Sequence, residues 1–266
     1  MKEIELIELY CLIEDSLQTL GHHDDQRCEF SEAEVVFTGI VAARYFSGNI
    51  RKARIFLKFN RYCPNMLSES RLNRRINRIY FWNDLLKILG NHDYHTVIDS
   101  FPIHSCRLSR ANRRGLFQGR IFKGYNSSHK CYFIGIKVHL ITSRTGRPFF
   151  FQITPANEHD LTALKFLDLP FESPCRLYGD KAYNDYDYEK ELERKGVRLT
   201  PQRKENSRKK HSRRVGGWLY KYRKKIETAI SGIVRLMPRW IQAVSMEGFE
   251  TKIALFIVAY TTTLIN

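Results

Sequence analysis

The spacing of apolar side chains changes character near Gly90-Asn-His-Asp93, and the boundary between two domains is expected there. Before that point the period is helical. Ile4, Leu6, Ile7, Leu9 and Tyr10, with Leu12 and Ile13, make a first amphipathic segment that Gly21-His-His-Asp-Asp25 interrupts. Ser31 stands where a helix cap is needed, and Glu34 three residues on completes a capping box ahead of Val35 and Val36. Residues 51–59 predict a short basic helix that ends near Pro64. Ser68 predicts the cap of another, with Arg71, Arg74, Arg75 and Arg78 on one flank and Leu72, Ile76 and Ile79 turned inward.

Beyond residue 93 the pattern alternates between strands and helices. Residues 95–101 form a β-rich run with Asp99 in its middle. Residues 130–142 and 147–154 predict two strands joined by the Ser143-Arg-Thr-Gly146 turn as a hairpin. A helix over 161–167 precedes a short strand over 174–180 that delivers Asp180 at its carboxyl end. A helix over 186–195, closed by Gly196, leads to a strand at 197–200 that Pro201 ends. Residues 203–217 are charged and turn-rich and predict a mobile loop. Leu219, Tyr222, Ile226, Ala229, Ile233 and Leu236 then recur at steps of three and four as one apolar helix stripe. The apolar tail, residues 253–265, predicts a buried helix too short to span a bilayer. The expected organisation is an all-α domain over residues 1–90 and an α/β domain over residues 91–266, a mixed sheet flanked by helices with the basic loop at 203–217.

The formal charge of +16 is unevenly distributed. Residues 1–50 carry ten acidic side chains against Lys2, Arg27 and Arg44. Residues 51–80 carry nine basic ones against Glu69 alone, residues 107–147 ten with no acid, and residues 203–225 eleven against Glu205. Three separate basic blocks on folded sequence suit a long polyanion crossing several surfaces better than a membrane anchor. The six cysteines are scattered without a C-x-x-C pair, which argues against a zinc site or a disulfide framework and for reduced thiols in the cytosol. No export signal stands at the N-terminus. The arginine-bearing helix at 69–79 fits either a helix-turn-helix that docks in a DNA groove or the solvated face of an ordinary bundle.

An aspartate inside an apolar strand is costly unless its charge is compensated. Val97 and Ile98 put Asp99 in that position, and Asp180 lies where open sheets place ligand sites. Glu227, beside the apolar helix stripe and one turn after Arg223, reads alone as half of a surface ion pair. Three converging carboxylates repel, and a divalent cation resolves that repulsion. Oxygen-only ligands favour Mg²⁺ or Mn²⁺ over zinc, and two such ions serve phosphodiester chemistry.

Asp99, Asp180 and Glu227, separated by 81 and 47 positions, resemble the acidic triad of the DDE (Asp-Asp-Glu) transposases of bacterial insertion sequences. Four local boxes agree in order: Thr96-Val-Ile-Asp-Ser100, Thr154-Pro-Ala-Asn-Glu-His-Asp160, Tyr178-Gly-Asp-Lys-Ala-Tyr-Asn-Asp185, and Tyr220-x-x-Arg223-x-x-x-Glu227. The layout is closest to insertion sequence 982-type elements, over roughly residues 94–240. The last box normally continues to a lysine seven positions on. Val234 occupies that place, with Arg235 beside it.

The resemblance implies an RNase H-like catalytic domain that cuts DNA at the element's ends and transfers the freed 3′-hydroxyl to target DNA. It assigns catalysis and the two metal ions to Asp99, Asp180 and Glu227. Arg223 would steady Glu227 or a phosphate, Tyr220 would pack, and His159 and Asp160 would fix the turn into the next helix or touch DNA. DNA contacts are expected from Arg71, Arg74, Arg75, Arg78, Arg113, Arg114, Arg120, Lys123, Lys181, Arg213, Arg214, Arg223 and Lys224. Phe117, Phe122, Tyr125, Tyr132 and Phe133 offer stacking surface, with at least one of Tyr132 and Phe133 in the core. Joining two DNA ends implies a homodimer or higher oligomer on DNA, in the cytoplasm at the nucleoid. Two alternatives share these features: an inactive DNA-binding relative, and a structure-specific nuclease of the same fold.

Overall fold

Capping and burial explain the first helices. The computed structural model describes residues 3–90, 93–106, 115–126, 130–171 and 174–265. Helix α1 (Glu3–Thr19) buries Leu6, Leu9, Ile13 and Leu17. Helix α2 (Glu32–Tyr45) opens on the expected capping box: Glu34 N–H donates to Ser31 Oγ at 3.1 Å and Ser31 N–H to Glu34 Oε2 at 2.7 Å. From Val35 to Ala43 α2 is buried on every side, as befits the centre of a bundle. Helix α3 (Ile50–Phe59) and helix α4 (Glu69–Asn77), capped by Ser68, bury narrow stripes, and α5 (Trp82–Gly90) follows. The α3–α4 connection runs over residues 60–68, well beyond the three- or four-residue turn of a helix-turn-helix.

The chain divides into two compact units, Met1–Leu89 with Gly232–Asn266, and Gly90–Ser231. The sequence predicts a second domain that runs to residue 266, and here the structure differs. Helix α9 (Met246–Thr262), capped by Ser245, is buried almost all round, and its partners are α2 and α4. Leu255 meets Gly39 closely enough that a Cβ there would lie 2.7 Å from it. A helix whose run from Ile253 to Ala259 is apolar and buried needs cover on several sides, and α2 and α4 contribute to it.

Among the described residues, the second unit is built on a six-stranded mixed sheet. Strands β1 (His95–Cys106), β3 (Cys131–Ser143) and β4 (Pro148–Pro155) pair antiparallel, and β2 (Lys123–Asn126) pairs with the start of β3. Strands β5 (Cys175–Gly179) and β6 (Val197–Pro201) run parallel to β1, in the order β4-β3-β1-β5-β6. Helix α6 (Asp160–Phe166) and helix α7 (Tyr186–Arg194) cover one face, where Ile98, Ile141, Leu164, Leu177, Tyr188 and Leu199 pack together. Helix α8 (Arg213–Leu236) covers the other, with Tyr222 against Tyr178 at 5.2 Å between ring centroids. This is the RNase H-like fold that the sequence leads one to expect. Two local expectations change. Strand β2 has no counterpart in the sequence pattern, and α8 begins at Arg213, so the loop is shorter and Gly216 and Gly217 lie inside a helix. Neither glycine has a neighbour that a Cβ would meet.

Candidate active site

Strand alternation decides which way the acids face. Ile98 points to the α6–α7 core, so Val97 and Asp99 point to the α8 side. Leu177 joins that same core, so Tyr178 and Asp180 also point toward α8. In the parallel pairing of β1 with β5, Val97 lies opposite Tyr178. Two residues further along each strand come Asp99 and Asp180. Asp180, just past the end of β5, is therefore the neighbour of Asp99 within β1, beneath the helix that carries Arg223 and Glu227.

Their surroundings resist ionisation. Burial pushes the Asp99 carboxyl up to about 7; the Ser100 N–H, donating to Oδ1 at 2.8 Å, opposes that rise, Asp180 and Asp160 add to it, and Arg223 opposes it. Burial also raises Asp180, against the Ala182 N–H that donates to its Oδ1 at 2.7 Å and caps the 3₁₀ turn Lys181–Tyr183. Asp160 raises it further, while Arg223 and Lys137 lower it. Tyr183 is fully buried, its hydroxyl held well above the usual range by burial and by Asp160, Asp99 and Asp180.

Glu227 sits apart from this pair. Its side chain is 54% exposed, and Arg223 Nη2 donates to Oε1 at 3.3 Å. Arg223 Nη1 donates to Gln202 Oε1 at 2.5 Å. A cleft of about 340 Å³ opens beside Glu227, lined by Gln202, His211, Leu219, Tyr220 and Lys224 among others. Among the described residues, the trio of potential ligands whose donor atoms lie within 4.8 Å of one another is His22, Asp24 and Glu32 in the helical unit, not the predicted triad. Glu32 there is already paired with Arg75 at 2.6 Å. Asp99 and Asp180 are brought together by the sheet, whereas Glu227 is drawn toward Arg223.

Sequence reasoning underrates four residues. Asp160, at the first position of α6, does not cap its own turn. It accepts from Ser100 Oγ at 2.7 Å and from Lys137 Nζ at 3.1 Å, tying α6 to β1 and β3. Lys137 also donates to the Glu158 carbonyl at 2.6 Å. A lysine in the middle of an apolar strand was the available signal. Gln202 carried none. His139, fully buried near Asp160 and Lys137 and pushed down to about 4 chiefly by burial, is neutral and bonds Thr154 Oγ1 at 2.9 Å.

The predicted DNA contacts separate into groups. Arg71, Arg74 and Arg78 are exposed. Arg75 is not available, because it pairs with Glu32 and donates to the Phe30 carbonyl. Arg120, Lys123, Lys181, Arg213, Arg214 and Lys224 are exposed, and Arg223 is half-buried. Arg113 and Arg114 lie outside the described residues. Phe117 and Phe133 are core, while Tyr125 and Tyr132 form an exposed edge-to-face pair at 5.1 Å with Lys123 over Tyr132. Tyr220, expected to pack, is 66% exposed under Lys224. Val234, at the lysine position of the signature, is exposed. No helix of the described residues is long and apolar enough to cross a membrane.

Comparison with known proteins bears on the fold and the family. A structure described as the "Cryo-EM structure of piggyBac transposase synaptic complex with hairpin DNA (SNHP)" is similar in fold, with a TM-score of 0.51 and 13% identity, over 99% of this chain and 72% of that one. No curated protein matches the sequence. Residues 89–238, more than half of the chain and the stretch that contains Asp99, Asp180 and Glu227, match the family described as "Transposase DDE domain". The chain belongs to the family of DDE-domain transposases.

Proposed function

We propose that the chain is the transposase of a bacterial insertion sequence, of the 982 type. It cuts DNA at the ends of its element and joins the freed 3′-hydroxyl to target DNA. The observation that carries this reading is the pair Asp99 and Asp180 on adjacent parallel strands, under the helix that bears Arg223 and Glu227. The donor set fits hard divalent cations: every candidate ligand is a carboxylate oxygen, and Asp99 sits where burial and neighbouring acids oppose an uncompensated charge. Two Mg²⁺ or Mn²⁺ ions held by Asp99, Asp180 and Glu227 would supply the positive charge that activates an attacking oxygen and stabilises a leaving one.

The chain's own groups do the rest. Ser100 and Ala182 amides fix the rotamers of the two aspartates. Arg223 offers a guanidinium between Glu227 and the strand ends, where a phosphate would lie. Lys123, Arg120, Lys181, Arg213, Arg214 and Lys224 present charge to the backbone of DNA, and Arg71, Arg74 and Arg78 do the same from the helical unit. Tyr125 and Tyr132 provide a stacking surface for an unpaired base. That the similar piggyBac structure is a synaptic complex with hairpin DNA supports DNA as the partner. Two element ends require at least two copies on DNA, in the cytoplasm at the nucleoid.

The test is incubation of the purified chain with a plasmid carrying candidate end sequences and Mg²⁺ or Mn²⁺. Cleavage followed by joined products is expected. Cleavage without joining identifies a nuclease instead, and tight binding without cleavage an inactive relative.

A further inference from the structure

We propose that Gln202 is a positioning residue of the acidic site: its side-chain carbonyl holds Arg223, so that Glu227 keeps a carboxylate oxygen free. The inference rests on the reading of the site given above, and adds a residue that no signature in the sequence marks. Gln202 lies just past β6, and its main chain is locked to the strand of the second aspartate. Its N–H donates to the carbonyl of Gly179, the residue before Asp180, at 2.9 Å. Its own carbonyl accepts from Asn184 Nδ2 at 2.6 Å. The next residue, Arg203, has a side chain only 9% exposed and grips Glu189 through both ends of its fork at 2.5 and 2.6 Å.

From that fixed base the side chain reaches α8. Arginine has donors only, so the carbonyl end of the amide must face it. Arg223 Nη1 donates to Gln202 Oε1 at 2.5 Å, whereas Nη2 stands 3.3 Å from Glu227 Oε1. The short bond governs where the guanidinium rests. Glu227 is left with one long contact, on one oxygen only. An arginine and a glutamate four residues apart on a helix otherwise close on each other, and a guanidinium prefers to bind both carboxylate oxygens. Gln202 thus stands between Glu227 and capture by its own helix neighbour. The same bond keeps the Arg223 charge where it opposes the rise in both Asp99 and Asp180.

Gln202→Met keeps the size and both main-chain bonds but removes the acceptor. Gln202→Glu keeps an acceptor. Mn²⁺ binding by calorimetry and DNA cleavage against Mn²⁺ concentration are measured on the full chain, with unfolding midpoint and DNA affinity as controls. The loss of one hydrogen bond to a charged group predicts Mn²⁺ binding about tenfold weaker in Gln202→Met. Cleavage should recover at saturating Mn²⁺, the controls should be unchanged, and Gln202→Glu should stay close to wild type. Wild-type Mn²⁺ affinity in Gln202→Met overturns the inference, as does a Gln202→Glu variant as impaired as Gln202→Met. A wild-type chain that neither binds Mn²⁺ nor cuts DNA sinks the reading of the site and this inference with it. A competent wild type with an unaffected Gln202→Met sinks the inference alone.

Discussion

Replacing Asp99 by asparagine should stabilise the protein while removing its activity, and the gain should grow as pH rises from about 4 to about 7 and hold above that. In the fold the carboxyl is pushed from its ordinary 3.8 to about 7, first by burial and then by Asp180 and Asp160. Between those values the folded chain holds a proton that the unfolded chain has released. Stability therefore falls as pH rises from about 4 to about 7 and is level above that. Some three pH units at about 1.4 kcal/mol each bound the cost at about 4 kcal/mol, and the solvent that reaches this partly exposed carboxylate brings it to about 2–3 kcal/mol. Asparagine keeps the shape and carries no charge. The assay is urea unfolding in EDTA, followed through Trp218 in a background where Trp82 and Trp240 are phenylalanine. The variant should match its parent near pH 4 and exceed it by about 2–3 kcal/mol at pH 8. Saturating Mn²⁺ should return the difference to the parent and do nothing for the variant. If the two lose stability in parallel between pH 4 and pH 8, Asp99 carries no such penalty, and the argument that the fold concentrates negative charge there fails.

Glu227→Gln should abolish DNA cleavage and leave DNA affinity within about twofold, because an exposed side chain contributes little to the fold; cleavage at the wild-type rate would remove Glu227 from the site. Neutralising Arg208, Lys209 and Lys210 together should reduce the slope of log affinity against log salt by up to about 0.9 for each phosphate left without its cation, read from filter binding across a salt series; an unchanged slope would place those three side chains away from the DNA. Gly135→Ala should destabilise the catalytic unit severely, since its Cβ would lie 1.9 Å from the Ile103 carbonyl oxygen on the paired strand; a melting temperature within a degree or two of wild type would contradict the close approach of β1 and β3.

Much of the catalytic unit is legible in its sequence, because its strands carry strong periods and its acids interrupt them. Asp99 is conspicuous between Ile98 and Phe101, and Asp180 ends an apolar run before a turn. Interactions that depend on register and on side-chain reach leave no such trace. Strand β2 is only Lys123–Asn126, too short for a period to declare itself. Asp160 has the look of a turn-fixing residue from its place before a helix, whereas its bonds to Ser100 and Lys137 cross to other strands. Arg75 shares a helix flank with Arg71 and Arg78, and only the packing of α2 shows that Glu32 claims it. Gly216-Gly217 reads as a loop by composition, yet the helix runs through it because the stripe that follows has a sheet to pack on.

The two stretches that build the helical unit come from opposite ends of the chain, with the catalytic unit between them. This fixes an order of events at the ribosome. Residues 90–231 are contiguous, so the mixed sheet can close as soon as its last helix has emerged. The helical unit cannot be finished at that time, because α2 waits with its apolar surface open until α9 has been made. At ordinary rates of elongation that interval is a matter of seconds, long enough for exposed apolar surface to find another nascent chain. A message cut short after codon 231 would then yield a folded sheet attached to an incomplete bundle, a product for proteases rather than a smaller working enzyme.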